Sequence, residues 1–219
     1  MEKNCSKLKL YMSYPSPTHT INPILVFQIL PALTVLFFLG ALGEWLNPWL
    51  LYERTGLESG EVWRLFSAHI VHLGMTHCIL NAVGLCLILQ LFKGLFRSGF
   101  WWFAVTSLSM GISALFYWLN PGLAYYAGLS GVLHGLLALA LVTAIFDDKL
   151  FRRPMVVLAV VALIGKLIYE QTSAYSAGYI EDAMGAPVVV DSHLYGAILG
   201  AILALVKRGI AVLRKNDQI

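Results

Sequence analysis

Six stretches of this chain are long and apolar enough to enter a bilayer core of about 30 Å, and they leave room for little else. They run from Ile24 to Gly43, Leu73 to Phe92, Gly99 to Leu119, Leu129 to Phe146, Met155 to Tyr169 and Val188 to Val206. The fifth is short and carries Lys166. In lipid every backbone polar group must be bonded within the protein, so runs of this kind fold as helices. With 58% hydrophobic and 12% charged residues, the composition lies outside the range of soluble domains. The expected fold class is all-α membrane with six transmembrane helices. The chain then divides into a cytoplasmic N-terminal segment over 1–23, a helical domain over 24–206 and a cytoplasmic tail over 207–219.

The distribution of charge orients these spans. Lys3, Lys7 and Lys9 precede the first, Lys93 and Arg97 separate the second from the third, and Lys149, Arg152 and Arg153 follow the fourth. Lys207, Arg208, Arg214 and Lys215 follow the sixth. The alternate loops hold only Arg54 and Arg64, beside acidic residues such as Glu44, Glu58, Glu61, Glu170 and Asp191. This bias predicts both termini in the cytoplasm and supports an even number of spans. Residues Met1 to Thr20 lack the pattern of a cleaved signal peptide, so the first span is expected to act as an uncleaved signal anchor.

Between spans one and two lies the only sizeable loop, Glu44 to His72, with Trp45, Trp49 and Trp63 at the expected headgroup level. His69 in this loop is read as interfacial. The uncharged loop Asn120 to Ala127 is apolar enough to dip into the membrane region under a protein cover. The outer loop Gln171 to Pro187 is expected to be mobile, as a lid or gate. Cys5, Cys78 and Cys86 form neither a disulfide framework nor a metal spacing, and Cys78 and Cys86 are read as packing residues. No metal, organic cofactor or nucleic-acid partner is expected.

Polar groups inside apolar spans are costly and mark function. His77 and Asn81 share one helix face, Ser130 opens the fourth span, and His193 lies near the start of the sixth. At about 1.5 Å per residue, the predicted topology puts all four in the outer third of the bilayer. A serine needs a neighbouring base to become a nucleophile at neutral pH, and His193 is the candidate. His77 and Asn81 can donate to a developing oxyanion together with the Ser130 backbone N–H. Gly128 and Gly131 are read as leaving space for a substrate backbone, and Gly196 and Gly200 as letting helices four and six pack closely. Asp191 lies roughly opposite His193 on its helix and Lys166 is expected to snorkel or to pair with Glu170, so no carboxylate completes a triad. The site reads as a Ser–His dyad.

In order and spacing, four blocks resemble the rhomboid intramembrane serine proteases. They are Glu61-Val62-Trp63-Arg64, His72 to Asn81, Gly128-Leu129-Ser130-Gly131, and His193-Leu194-Tyr195-Gly196 with Gly200. The resemblance runs from about Trp45 to Val206 and implies a six-helix rhomboid core. It implies Ser130 as nucleophile, His193 as base, and His77 and Asn81 as oxyanion donors. It further implies that Trp63 and Arg64 stabilise the first outer loop and that His72 is a structural hydrogen-bonding residue. Many rhomboid proteases carry a tyrosine four residues after the serine, where this chain has His134 followed by Gly135. Gly-x-Ser-Gly-x-x-His-Gly resembles the bacterial rhombosortase branch. That implies an inner-membrane location, a site open to the periplasm, and membrane-anchored substrates bearing a C-terminal Gly-Gly motif, an apolar helix and a basic tail. The branch name also implies transfer of the new C-terminus to an amine as an alternative to hydrolysis. His134 itself has three readings: support of His193, contact with substrate, or membership of a buried polar network.

Two other classes compete. A catalytically silent rhomboid-like protein would bind transmembrane substrates without cutting them, but such proteins generally lack the serine or the histidine. A small transporter predicts an internal repeat or paired broken helices, and neither is visible in the sequence.

Overall fold

The computed structural model describes residues 23–92, 98–147, 154–176, 178, 181–182 and 187–216. The order is α1 (Pro23–Ala41), α2 (Gly43–Leu50), β1 (Tyr52–Glu53), α3 (Arg54–Glu58), α4 (Arg64–Ser67), α5 (Met75–Leu91) and α6 (Ser98–Leu119). It continues with β2 (Tyr125–Tyr126), α7 (Ser130–Ile145), α8 (Pro154–Glu170) and α9 (Asp191–Asn216). A helix falls on each of the six apolar stretches. Length and composition qualify two of them as spans, Gly99–Leu119 and Asp191–Arg214, and a third if α1 and α2 are taken as one span bent by 101°. Met75–Leu91 and Ser130–Ile145 are apolar but shorter. The protein is a helical membrane protein. Its basic N-terminal segment and the loops holding Lys93, Arg97, Lys149, Arg152 and Arg153 lie outside the described residues, as do Cys5 and parts of the outer loop before Pro187.

Helix α7 occupies the centre. Ten of its 16 residues are buried, spread around its circumference, which is why its sequence is apolar on every side rather than along a stripe. Leu108, Ile112 and Phe116 of α6 and Leu85 and Leu89 of α5 pack into the same core as Val132, Leu136 and Leu139 of α7. Helix α8 differs. Val156, Leu163 and Glu170 are buried, while Leu158, Val161, Ile164 and Ile168 are exposed, as suits a helix with most of its surface in lipid.

The tightest helix contact joins α7 to α9. A methyl group added at Gly196 would overlap the carbonyl of Gly131, and one at Gly200 the carbonyl of Gly135. The two backbones therefore touch over one full turn, the close approach that small residues permit and lipid alone does not drive. The expected role of Gly196 and Gly200 is seen directly in this contact.

The segment between α1 and α5 is a folded unit. Arg64 is buried and donates to the carbonyls of Leu51 at 2.8 Å and Pro48 at 2.9 Å, while its Nε lies 2.5 Å from Glu61 Oε2. Trp63 Nε1 donates to Trp49 O at 3.0 Å. A buried carbonyl left unpaired costs about 1–3 kcal/mol, against about 0–1 kcal/mol for an exposed ion pair. The carbonyl bonds of Arg64 therefore outweigh its 3.6 Å pairing with the more exposed Glu53. Trp45, Trp49 and Trp63 are all exposed.

This loop also reaches the segment before Ser130. Strands β1 and β2 pair antiparallel with Tyr52 opposite Tyr126, and Gly128 N donates to Ala68 O at 2.9 Å. Arg54 adds a further tie by donating to the carbonyls of Phe116, Tyr117 and Asn120 at the end of α6. Of the apolar loop from Asn120 to Ala127, only the end next to Ser130 is covered by protein: Tyr126 and Ala127 are buried, whereas Pro121, Gly122, Ala124 and Tyr125 are exposed.

The α7–α9 contact generates a prediction with an internal control. Glycine-to-alanine replacement in an open helical site gains up to about 1 kcal/mol of helix propensity, whereas overpacking costs about 1–3 kcal/mol. Among the described residues, no atom lies within 4 Å of a Cβ added at Gly209. Gly200→Ala should lower the thermal unfolding midpoint in detergent, and Gly209→Ala should leave it unchanged or raise it.

Candidate active site

Ser130 begins α7 at the end of a loop pinned by β2 and by the Gly128–Ala68 hydrogen bond. Gly128 adopts φ +138°, a region unfavourable to residues with a side chain, and an added Cβ there would lie 2.5 Å from Cε1 of His77. At Gly131 an added Cβ would lie 2.8 Å from the carbonyl oxygen of Ser192. Both glycines were expected to make room for a substrate backbone. The structure uses that room itself, for the His77 ring and for the first turn of α9.

His193 is in the first turn of α9, and the glycine contact brings it across α7. Its Nε2 lies 3.0 Å from Ser130 Oγ. Its Nδ1 lies 3.0 Å from both carboxylate oxygens of Glu170, at the end of α8. An ionised carboxylate only accepts hydrogen bonds, so Nδ1 carries the proton and Nε2 is left to accept from the serine hydroxyl. An imidazole in this tautomer can take the hydroxyl proton as the oxygen attacks. Lys166 pairs with Glu170 one turn earlier on α8, as the sequence spacing predicts.

Glu170 is the residue that sequence reasoning missed. Its spacing from Lys166 explained it as half of an i,i+4 pair, and no signal in the chain tied the end of the fifth span to His193. The predicted topology offered one cue, since it ends the fifth stretch near Glu170 on the same side on which it begins the sixth near His193. Asp191, the acidic residue nearest His193 in sequence, instead accepts from Asn120 Nδ2 at 2.6 Å, and Asn120 Oδ1 accepts from Tyr195 at 2.7 Å.

His134 stacks on His193 with ring centroids 4.1 Å apart and planes 21° from parallel. Its Nδ1 donates to the carbonyl of Ser130 at 2.7 Å. It therefore contacts both members of the Ser–His pair, one by its ring face and one through the backbone.

His77 and Ser130 line a cavity of about 250 Å³ whose wall includes Leu73, Tyr126, Ala127, Val188 and Val189. Nδ1 of His77 and Nδ2 of Asn81 are buried and have no hydrogen-bond partner among the described residues. Unpaired polar atoms of this kind are costly unless something that they bind arrives. Asn81, one turn deeper on α5, does not line the cavity.

His72 makes its structural hydrogen bond through the backbone: its carbonyl accepts from Asn47 Nδ2 at 2.8 Å, while its ring packs edge-on against His77 at 4.9 Å with neither nitrogen paired among the described residues. One expectation changes. His69, read as interfacial, is fully buried, with Nε2 3.0 Å from Ser113 Oγ. Cys78 is buried as packing, with its thiol 3.3 Å from Leu36 O.

The chain matches the Rhomboid domain over residues 59–209, more than half of its length. It belongs to the rhomboid family. Rhomboids are in general intramembrane serine proteases acting on transmembrane substrates, and the family includes inactive members. No curated protein matches the chain. The matched stretch of this rhomboid begins in the first outer loop and contains Ser130, His193, His77, Asn81 and Glu170.

Burial of His69 and His72 between α4 and α5 holds each imidazole down at about 3, well below its ordinary range, with the neighbouring His77 adding to the effect at His72. Between about pH 6.5 and 3, the unfolded chain takes up protons at these positions that the native rhomboid does not. Stability contributed by the neutral rings is therefore full above pH 6.5 and declines as pH falls. Thermal unfolding in detergent between pH 7.5 and 4.5 should show this decline, with a shallower slope in His69→Gln.

Proposed function

We propose that this rhomboid is an active intramembrane serine endopeptidase. The observation that carries the reading is the 3.0 Å contact between His193 Nε2 and Ser130 Oγ at the wall of a cavity that His77 shares. In this mechanism Ser130 Oγ attacks the scissile carbonyl while its proton passes to His193 Nε2. The oxyanion forms beside the His77 imidazole and the backbone N–H of Ser130, and Asn81, one turn deeper on α5, reaches it as a donor only if substrate extends the cavity to that turn. As the C–N bond breaks, His193 gives the proton to the leaving amine. A second nucleophile then releases the acyl group from Ser130. Water yields a free acid, and an amine yields a new amide.

The substrate reading is a membrane-anchored secreted protein cut near a C-terminal Gly-Gly segment followed by an apolar helix and a basic tail. It rests on the likeness of Gly128 to Gly135 to the rhombosortase pattern, with His134 in contact with both Ser130 and His193. The accompanying topology has six spans over residues 24–206, both termini in the cytoplasm and the cavity open to the periplasmic side of a bacterial inner membrane. The basic residues of the predicted cytoplasmic loops support that orientation. No cofactor takes part in this mechanism.

The test is cleavage of a single-span substrate carrying the Gly-Gly signal by protein reconstituted in liposomes. Ser130→Ala and His193→Ala should abolish cleavage, and His77→Ala should lower kcat by about 100-fold with little change in KM. Equal processing by wild type and both dyad variants would point to a catalytically silent rhomboid-like protein. The mass of the new C-terminus separates hydrolysis from transfer. His134→Tyr should lower cleavage of this substrate relative to wild type, and full activity would remove the branch-specific role of His134.

A further inference from the structure

Resting on the serine-protease reading, we propose that Glu170 is a positioning residue that converts the Ser130–His193 pair into a Ser–His–Glu triad assembled from three helices, with Lys166 as its counter-ion. Glu170 is 5% exposed, and its two oxygens each lie 3.0 Å from His193 Nδ1. A buried carboxylate is costly unless paired, and here both of its partners are on the page: the Nδ1–H of His193 and the ammonium of Lys166. The Lys166 side chain is 45% exposed, so the ammonium keeps contact with water or headgroups while its stem follows the helix.

The arrangement selects one tautomer. Lys166 Nζ also lies 3.4 Å from His193 Nδ1. Were the ammonium the hydrogen-bond donor to Nδ1, Nε2 would carry the proton and could not accept from Ser130. The carboxylate is nearer and bonds Nδ1 through both oxygens, so Nδ1 is protonated and the ammonium is directed to Glu170 instead. During attack, the positive charge that develops on His193 faces the carboxylate across this bond. Glu170 neither receives that proton nor touches substrate.

The two neighbouring features fit a purpose of orientation. His134 restrains the face of the imidazole and Glu170 restrains its edge, leaving the ring little freedom to turn away from Ser130. Because Glu170 terminates α8, whose other buried positions are Val156 and Leu163, the base is oriented only while the outer end of α8 stays against α9.

Three measurements on reconstituted full-length protein test this. Replacement of a triad carboxylate by its amide leaves the shape but lets the amide donate to Nδ1, favouring the wrong tautomer, so Glu170→Gln should lower kcat on the Gly-Gly substrate by about 100-fold or more, with KM within about twofold. Glu170→Asp should recover part of this loss, and Lys166→Met should cause a smaller one. Nitrogen-15 spectra of histidine-labelled protein should show His193 protonated at Nδ1 in wild type and a mixture of tautomers in Glu170→Gln. Labelling of Ser130 by a fluorophosphonate provides a readout independent of substrate, and should slow in parallel with kcat. Unchanged kcat and labelling in Glu170→Gln, against a reactive wild type, would overturn the triad alone. A loss confined to KM, or one matched by unfolding at the assay temperature, would overturn it as well. A wild type inert to both probe and substrate would overturn the triad together with the protease reading.

Discussion

Backbone contact between α7 and α9 is the constraint on which the remaining geometry depends. Ser130 and His193 lie 63 positions apart and stand at the first turns of two different helices. Only helices that approach to glycine distance place those first turns close enough for a 3.0 Å hydrogen bond. Side chains at Gly196 or Gly200 would separate the axes and carry the imidazole away from the hydroxyl. Packing along the helix interface and the Ser130–His193 contact at its end are one interaction viewed at two levels.

The outer loops act on this core from above. Arg64 gathers the carbonyls of Pro48 and Leu51, and the folded loop then pairs through Tyr52 with Tyr126 and through Ala68 with Gly128. Those bonds fix the backbone immediately before Ser130. His77 completes the arrangement by filling the space over Gly128, so that the same ring which faces the cavity also locks the loop. Polar groups that would be costly in an apolar surrounding are thereby used twice, as structural ties and as the lining of a cavity.

The helical architecture was readable because the bilayer permits few alternatives. The six apolar stretches coincide with α1 and α5 to α9, and boundaries differ by a few residues because helices end where caps and loop bonds allow. The close packing at Gly196 and Gly200 was readable for a similar reason, since small residues at i and i+4 have few other uses in lipid. Readings of individual polar side chains fared unevenly. His69 is buried instead of interfacial, and the hydrogen bond of His72 runs through its carbonyl. In both cases the detail depends on which neighbours the folded loop supplies, a fact that sequence spacing does not encode.

By itself the sequence determined that this is a helical membrane protein, because hydrophobic length is a property of the linear chain. It also carried the motifs that place the chain among the rhomboids. What only the tertiary structure decided is which groups meet. Glu170 was legible as a partner of Lys166 because four residues along a helix is a local distance. Its contact with His193 spans 23 positions and depends on how α8 sits beside α9. Whether a buried carboxylate serves only a neighbouring turn or also an imidazole on another helix is settled by the relative placement of helices, and that placement is a product of packing between surfaces far apart in the chain.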